Sequence, residues 1–327
     1  MVLVRHWKKI FGWSVLALVA LALAFLLIYA QLFGPADKTA GTEQFFITPE
    51  DTIDTVATRL KYEHFVRSDI AARIALLEVA TKGLHAGGYT ISASMDTLAI
   101  ADILGEPPYL AWIKIPRGYR KEQIATLLTR ELGWDNAQKE EWLASFKGTS
   151  FYEGIFFPTT YLIPTEEAPA RVAERMKQKF SDTYALLVEK SAKRSTPWPE
   201  IVIIASLIDR EAAGPEDVKL ISGVIWNRLA KKMPLGIDAT LQYIKGTEGS
   251  WWPTVHSEDK YLESAFNTYF KSGLPPHPID NPNKVALEAA LNPATTTCLY
   301  YLHDYKGQIH CSNTYKGHVA NVNKYLK

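Results

Sequence analysis

Two cysteines in 327 residues, Cys298 and Cys311, are too few for a disulfide framework to carry the fold. Neither sign of charge dominates. The 36 Lys and Arg against 35 Asp and Glu leave a formal charge of +1, which excludes a general affinity for nucleic acid. No low-complexity tract interrupts the chain. His303, His310 and His318 fall in no zinc-ligand spacing, and the residues imply no metal and no organic cofactor. The partner must therefore be sought in local features.

What is present is one long apolar run. Arg5, His6, Lys8 and Lys9 precede "IFGWSVLALVALALAFLLIYA", Ile10–Ala30, which carries no charge. About 20 such residues suffice for a helix to cross a bilayer. Trp13 and Tyr29 stand near the ends, where interfacial aromatics are favourable. A cleaved signal peptide would have an apolar core of roughly 7–15 residues and a small-residue site after it. Here Ala22-Leu23-Ala24 lies inside the run and Ile28-Tyr29-Ala30 is a poor site. The expectation is an uncleaved single-pass anchor at 10–30, with residues 1–9 cytoplasmic and the rest on the far side of the inner or plasma membrane.

Residues 31–43 are polar with Gly and Pro and read as a linker. "QFFIT" alternates like a strand, and Thr52 opens a helix with Ile53, Val56, Ala57 and Leu60 at helical spacing. A second helix is expected at 67–82 on Ile70, Ile74, Leu77 and Val79, then a strand in "GGYTIS" and a short helix at 94–104. Residues 44–110 thus predict a small α+β module. "AWIKIPRGYRKEQIATLLTREL" from Ala111 repeats the strand, turn and helix pattern, and 168–190 predicts a long charged helix. The fold class expected is α+β, with 111–327 as a mixed α/β domain.

"IVIIASLIDREAAG", Ile201–Gly214, begins as a helix built for burial and ends in two acids and a base. At 100° per residue, Ile204, Leu207, Ile208 and Glu211 lie within about 60° of one line. Asp209 points roughly 160° away from Glu211, so Asp209 and Arg210 read as flanking charges that pair or solvate. A carboxyl on an apolar stripe has its charged form disfavoured, which suits a general acid near neutral pH. Downstream, Asn227 falls on the apolar face of the next helix and needs a hydrogen-bond partner. Asp238, Thr240 and Gln242 alternate with apolar residues, which predicts three polar side chains on one side of an extended stretch. "FNTYFKSGLPPHPI" adds Asn267, Tyr269 and a stiff Pro-Pro loop. Together these predict a polar cleft with one protected acid, suited to sugar.

"LYYLHDYKGQIHCSN" predicts a hairpin turning at Lys306-Gly307, with Cys311 opposite Leu302. Cys298 then lies roughly 13 Å away at strand rise, beyond the ~7 Å that a disulfide spans. The two cysteines are expected to be unpaired.

"ASLIDREA", "WNRLAKKMPLGIDATLQY", "FNTY", "GLPPHPI" and "ALNPATTTCLYYL" resemble, in order and spacing, the endolytic murein transglycosylases of the MltG or YceG-like family. The resemblance extends to the apolar N-terminal run, "GGYTIS", "EGIFFPTTY" and all of Ile201–Lys327. It implies a LysM-like module at 44–110 and a lytic catalytic domain after it. It implies that Glu211 is the catalytic residue and that Asn227, Asp238, Thr240, Gln242, Asn267 and Tyr269 are substrate contacts. The chain departs from the family pattern at Asp209, at Ile237 and Ala239, at His277, and in "IHCS" near the C-terminus.

The implied reaction cuts the β-1,4 bond from N-acetylmuramic acid to N-acetylglucosamine in peptidoglycan glycan strands and leaves 1,6-anhydro ends. The implied partners are those strands, the membrane and peptidoglycan synthases. Two rivals stay open on the residues alone: a muramidase-type hydrolase pairing Glu211 with Asp238, and a membrane-anchored wall-binding scaffold without catalysis.

Overall fold

The computed structural model describes residues 2–79, 83–149, 152–189 and 195–327, and within the first helix it describes side chains at Trp13, Leu16 and from Leu18 onward. The chain is mixed α+β. It divides into two compact units, Met1–Trp112 with Leu162–Glu166, and Ile113–Tyr161 with Glu167–Lys327.

The first unit opens with α1, Val2–Phe33. Among the described residues no helix is long and apolar enough to cross a membrane. Side chains of α1 are described without a break only over 18–33, about 24 Å of helix at the usual rise. β1 (Thr42–Ile47) starts two residues inside the stretch read as linker. α2 (Ile53–Tyr62) starts where Thr52 caps it: the Thr55 amide donates to Thr52 Oγ1 at 3.3 Å, and the Thr52 amide donates to Thr55 Oγ1 at 2.8 Å. α3 (Asp69–Val79) follows, then β2 (Gly87–Ser92), α4 (Thr97–Gly105) and β3 (Leu110–Lys114). Asp96 caps α4, so that helix starts later than expected. β1 and β2 pair antiparallel with Phe45 opposite Tyr89, and the sheet order is β1-β2-β3-β4, where β4 is Thr160–Pro164. The core under this sheet holds Phe45, Ile47, Val56, Leu60, Leu76, Ile91, Ile100 and Leu104.

α3 corrects the sequence reading. Ile70, Ile74 and Leu77 are exposed, and the buried face is Ala71, Ala72, Ala75, Leu76 and Val79. The reason is space. α3 packs against both α2 and α4, and a Cβ on Gly105 of α4 would sit 1.9 Å from Val79 Cγ1. Helices that approach so closely need small side chains between them, so the alanine face goes inside. The expected ends of this helix at 80–82, and of the 168–190 helix at 190, lie outside the described residues.

The second unit contains α5 (Lys121–Leu132), α6 (Asn136–Ala144), α7 (Pro169–Val188), α8 (Trp198–Glu211), α9 (Val218–Ala230), α10 (Asp238–Lys245) and α11 (Lys284–Leu291). It ends in a hairpin of β5 (Tyr300–His303) and β6 (Ile309–Ser312) and in α12 (Tyr315–Tyr325). α8 is the axis: Ile201 to Ile208 are all buried, packed by α9, α10 and α11. α9 is fastened to α11, since Ser222 Oγ donates to Ala289 O at 2.7 Å and Trp226 Nε1 to Ala290 O at 3.0 Å. Gly223 is required here, because a Cβ would meet Ala294 O at 2.5 Å. Buried Glu153 accepts the Lys121 amide at 2.9 Å at the start of α5 and Asn281 Nδ2 at 2.6 Å, a structural role for an acid in the "EGIFFPTTY" motif.

Candidate active site

Glu211 is the last residue of α8. It lines a cavity of about 560 Å³ together with Arg228, Asp238, Lys260, Tyr269, Tyr300, Tyr301 and His318, and with the 233–236 turn. Because α8 is buried on every side, Glu211 does not simply continue one apolar stripe. It is where a wholly buried helix comes up under an open cleft. The Tyr301 hydroxyl donates to Glu211 Oε2 at 2.7 Å. The other carboxyl oxygen has no hydrogen-bond partner among the described residues. Burial holds the Glu211 pKa above the ordinary carboxyl value and the Asp238 charge pushes the same way, while the Tyr301 hydrogen bond, His303 and Arg210 oppose. A carboxyl whose protonated form is favoured by its surroundings, with one oxygen held by Tyr301, is suited to donate a proton and take one back.

Asp238 is the first residue of α10, exposed at the cavity, and accepts the Tyr269 hydroxyl at 2.6 Å. The stretch Asp238–Gln242 is therefore helical rather than extended. An Asp in a first turn is favoured by the helix dipole, and that outweighs an alternation only five residues long. The correction matters for the side chains. Thr240 turns inward, donating to Ile237 O at 2.7 Å and sitting 3.1 Å from Thr268 Oγ1. Gln242 Nε2 donates to Pro253 O at 3.1 Å. Neither lines the cavity.

Asn227 and Asn267 also stay out of the cavity lining. Asn227 Nδ2 donates to Thr296 O at 2.8 Å and Cys298 O at 3.0 Å, anchoring the segment that leads into β5. Asn267 Nδ2 donates to Lys260 O and Leu262 O at 3.0 and 2.8 Å, and its Oδ1 accepts the Tyr269 amide at 3.0 Å. It clamps the loop that delivers Lys260 and Tyr269. The structure thus brings together Glu211, Asp238 and Tyr269, with Asn227 and Asn267 fixing the backbone around them. The sequence reasoning missed Tyr301, Arg228 and Lys260. Tyr301 sat inside a quoted motif, yet nothing local ties it to Glu211, 90 positions earlier.

The hairpin register explains Tyr301 and overturns the cysteine expectation. Tyr301, not Leu302, faces Cys311, and Cys298 and Cys311 form a disulfide with Cα atoms 5.9 Å apart. The 13 Å estimate assumed an extended chain through 298. Instead β5 begins only at Tyr300, and Cys298 bends back, its amide on Thr296 Oγ1 and its carbonyl on Asn227. His303 pairs with Asp217 at 3.0 Å and His310 with Asp304 at 2.9 Å. Among the described residues no group of three or more His, Cys, Asp or Glu could hold a metal.

Asp209 and Arg210 are less free than expected. Asp209 Oδ1 accepts Asn283 Nδ2 at 2.6 Å, while its Oδ2 and both carboxyl oxygens of Asp280 are buried with no hydrogen-bond partner. The Arg210 guanidinium stacks 3.8 Å over the Trp252 ring. Burial raises the Asp209 pKa to about 6 against the opposing charges of Arg117 and Arg210. It raises Asp280 further, with Asp209 as a like-charged neighbour. The far side of a helix buried all round is protein, so a charge there meets other side chains rather than water.

A sheltered, protonatable carboxyl over a polar, aromatic cleft fits a class of proteins acting on glycans by acid–base chemistry. The family assignment is more specific. The YceG-like family model matches residues 45–324, and the chain belongs to that family. It is 27% identical over 321 residues to the endolytic murein transglycosylase of Bacillus subtilis strain 168, covering 90% of this chain and 88% of that one. It is 28% identical over 280 residues to the endolytic murein transglycosylase of Streptococcus pneumoniae R6, covering 74% of this chain and 51% of that one, about half its length. A 2.6 Å crystal structure of a yceG-like protein from Listeria monocytogenes superposes with a TM-score of 0.58 at 25% identity, covering 88% of this chain and all of that one.

Proposed function

We propose that this protein is an endolytic peptidoglycan lytic transglycosylase, a lyase that cuts the bond from N-acetylmuramic acid to N-acetylglucosamine inside nascent glycan strands and so ends their elongation. The observation that carries this reading is Glu211: a carboxyl held by Tyr301 at the edge of a cavity of about 560 Å³, its pKa raised by burial. Glu211 gives its proton to the glycosidic oxygen as the bond from C1 of the muramic acid breaks. The resulting carboxylate then takes the proton of the same sugar's 6-hydroxyl as the C1–O6 bond forms. One residue serves both steps, no water is consumed, and the carboxyl returns to its starting state.

Asp238 lies in the same cavity and supports a second reading, hydrolysis by two carboxylates. Its Oδ1 is engaged by Tyr269, which favours a role as a charge that pushes the Glu211 pKa upward. Mass spectrometry of products from purified glycan strands separates the two. Products one water lighter than the hydrolytic ones, ending in 1,6-anhydromuramic acid, are expected. Reducing ends would make the enzyme a hydrolase.

The reading extends to location: α1 as a single-pass anchor in the inner or plasma membrane, with residues 1–9 cytoplasmic and the catalytic unit outside. Four consecutive residues of α1, Phe25 to Ile28, cover the whole circumference of the helix and are 67, 59, 72 and 59% exposed. A helical turn that is apolar and exposed on all sides is suited to lipid. The Cys298–Cys311 disulfide fits an oxidising compartment. The order β1, α2, α3, β2, with antiparallel β1 and β2, supports a LysM-like wall-binding module, and peptidoglycan synthases are the proposed protein partners. Protease added to the outer face of intact cells or spheroplasts should digest the catalytic unit. Its protection, or a mature protein starting near residue 31, would overturn this placement.

A further inference from the structure

The Glu211 cavity contains two acids and two strong bases, and they do not neutralise one another. Glu211 is engaged by Tyr301 and Asp238 by Tyr269. Arg228 spends its Nε on Leu299 O at 2.6 Å and one Nη1 hydrogen on Leu235 O. Both partners are neutral carbonyls, so they fix the guanidinium plane and leave its charge unpaired among the described residues. Nη2 has no protein acceptor there, and the group lies 5.1 Å from the centre of the Tyr300 ring. Lys260 is exposed, sits 4.9 Å over the Tyr269 ring and has no acidic partner among the described residues. Its backbone is held by Asn267, so the position is fixed even though the side chain is not. His318 adds no third charge, because burial and the Arg228 charge both hold its pKa below the ordinary value.

Two cations with no acidic partner among the described residues, one with its guanidinium plane fixed, are poorly used by a neutral sugar, whose hydroxyl and acetamido groups need only ordinary hydrogen bonds. They match a carboxylate, for which a pre-oriented guanidinium fork is well shaped. We propose that Arg228 and Lys260 form a carboxylate-recognition subsite that reads the anion borne on the 3-O-lactyl arm of the muramic acid residue. The inference rests on the glycan reading above and deepens it: the cleft distinguishes muramic acid from glucosamine by charge. The carboxylate can be that of the lactyl group itself, where the stem peptide has been removed, or one belonging to an attached stem peptide.

The test uses the full chain in detergent and three glycan preparations: strands bearing stems, strands with stems removed by amidase, and the latter with every lactyl carboxylate converted to a neutral methylamide. For the wild type, KM on the methylamide strands should exceed that on the better anionic substrate by about tenfold, the low end for a hydrogen bond to a charged group. A low KM on stem-free strands alone assigns the lactyl carboxylate, a low KM on stem-bearing strands alone assigns the stem, and an equally low KM on both means that the subsite takes either anion. Lys260→Gln should raise KM on the anionic substrate about threefold, as for an exposed charge pair, and narrow the ratio between anionic and neutral strands. Arg228→Gln should narrow it further, with thermal melting to confirm that the variant is folded, since Arg228 also holds two loops. Equal KM on neutral and anionic strands, or a ratio unchanged in folded Lys260→Gln and Arg228→Gln, would overturn the proposal. Product ends are read in every arm. Anhydro ends without charge discrimination would sink only this inference, whereas reducing ends would sink the lytic reading and leave the carboxylate subsite standing.

Discussion

Two acids two residues apart on α8 meet opposite fates. Glu211 and Asp209 both have raised pKa values, and burial is the largest cause for each. Glu211 opens on a cavity and is held by a phenol. Asp209 points into a sealed cluster with Asp280, Arg117 and Arg210, where three carboxyl oxygens find no hydrogen-bond partner. A perturbed carboxyl is therefore not by itself a catalytic one. Access decides, and access is set by which side of the helix the rest of the fold leaves open.

The largest effect expected comes from Glu211→Gln. It keeps volume and most hydrogen bonding but carries no proton to give. Turnover should fall at least about 100-fold, the low end for general acid–base catalysis, with the melting curve unchanged. Near-normal turnover would erase the distinction between the two acids.

The disulfide belongs to the Glu211 side, since it closes the hairpin that carries Tyr301. Cys298→Ser with Cys311→Ser should cost about 3 kcal/mol of stability, the loop-entropy value for a short loop. Denaturant unfolding of wild type and double variant, each with and without reductant, measures it. A wild type insensitive to reductant would mean that the bridge is not formed.

Tyr301→Phe comes next. A lost hydrogen bond to a charged group should lower kcat/KM roughly tenfold. The pH profile carries the sharper sign. Tyr301 stabilises ionised Glu211 and so lowers its pKa. Removing the phenol raises that pKa further, the proton is kept to higher pH, and the alkaline limb of kcat/KM should move up. A limb that stays still, or moves down, would deny Tyr301 its contact with the working carboxyl.

Asp209→Asn should have the smallest effect on turnover, within a few-fold, because the residue does not reach the cavity. Its signature is in stability. The folded pKa, about 6, lies above the ordinary aspartate value of 3.8, so the folded state holds more protons between these values. Ionised Asp209 then costs stability that is absent below pH about 4 and accrues as pH rises to about 6. The variant should gain on the wild type by about 1–3 kcal/mol between pH 4 and 7. A gap between them that shrinks as pH rises would mean that the aspartate is well paired instead.

Much of the fold was legible in the sequence because it is local. Thr52 as a cap, "GGYTIS" as β2 and the run of α8 follow from neighbours within a few residues. Errors came where two local signals competed. Ile70, Ile74 and Leu77 form an apolar stripe on α3, yet the alanine face won because its neighbours come too close for larger side chains. Alternation at Asp238–Gln242 lost to a helix start. The candidate site was legible in part: Glu211, Asp238 and Tyr269 share the cavity, while Asn227, Thr240, Gln242 and Asn267 give their polar groups to the protein itself.

By itself the sequence determined the class of chain, the helix that ends in Glu211, and the family motifs, because these rest on composition, period and order. Only the tertiary structure decided that Tyr301 holds Glu211, that Cys298 reaches Cys311, and that Arg228 and Lys260 stand beside them with no acidic partner among the described residues. Each of those facts joins segments far apart in the chain, or depends on a one-residue register and a bend before β5. Hydrophobic period sets which face of an element is buried, but it carries no information about which distant side chain will arrive opposite it.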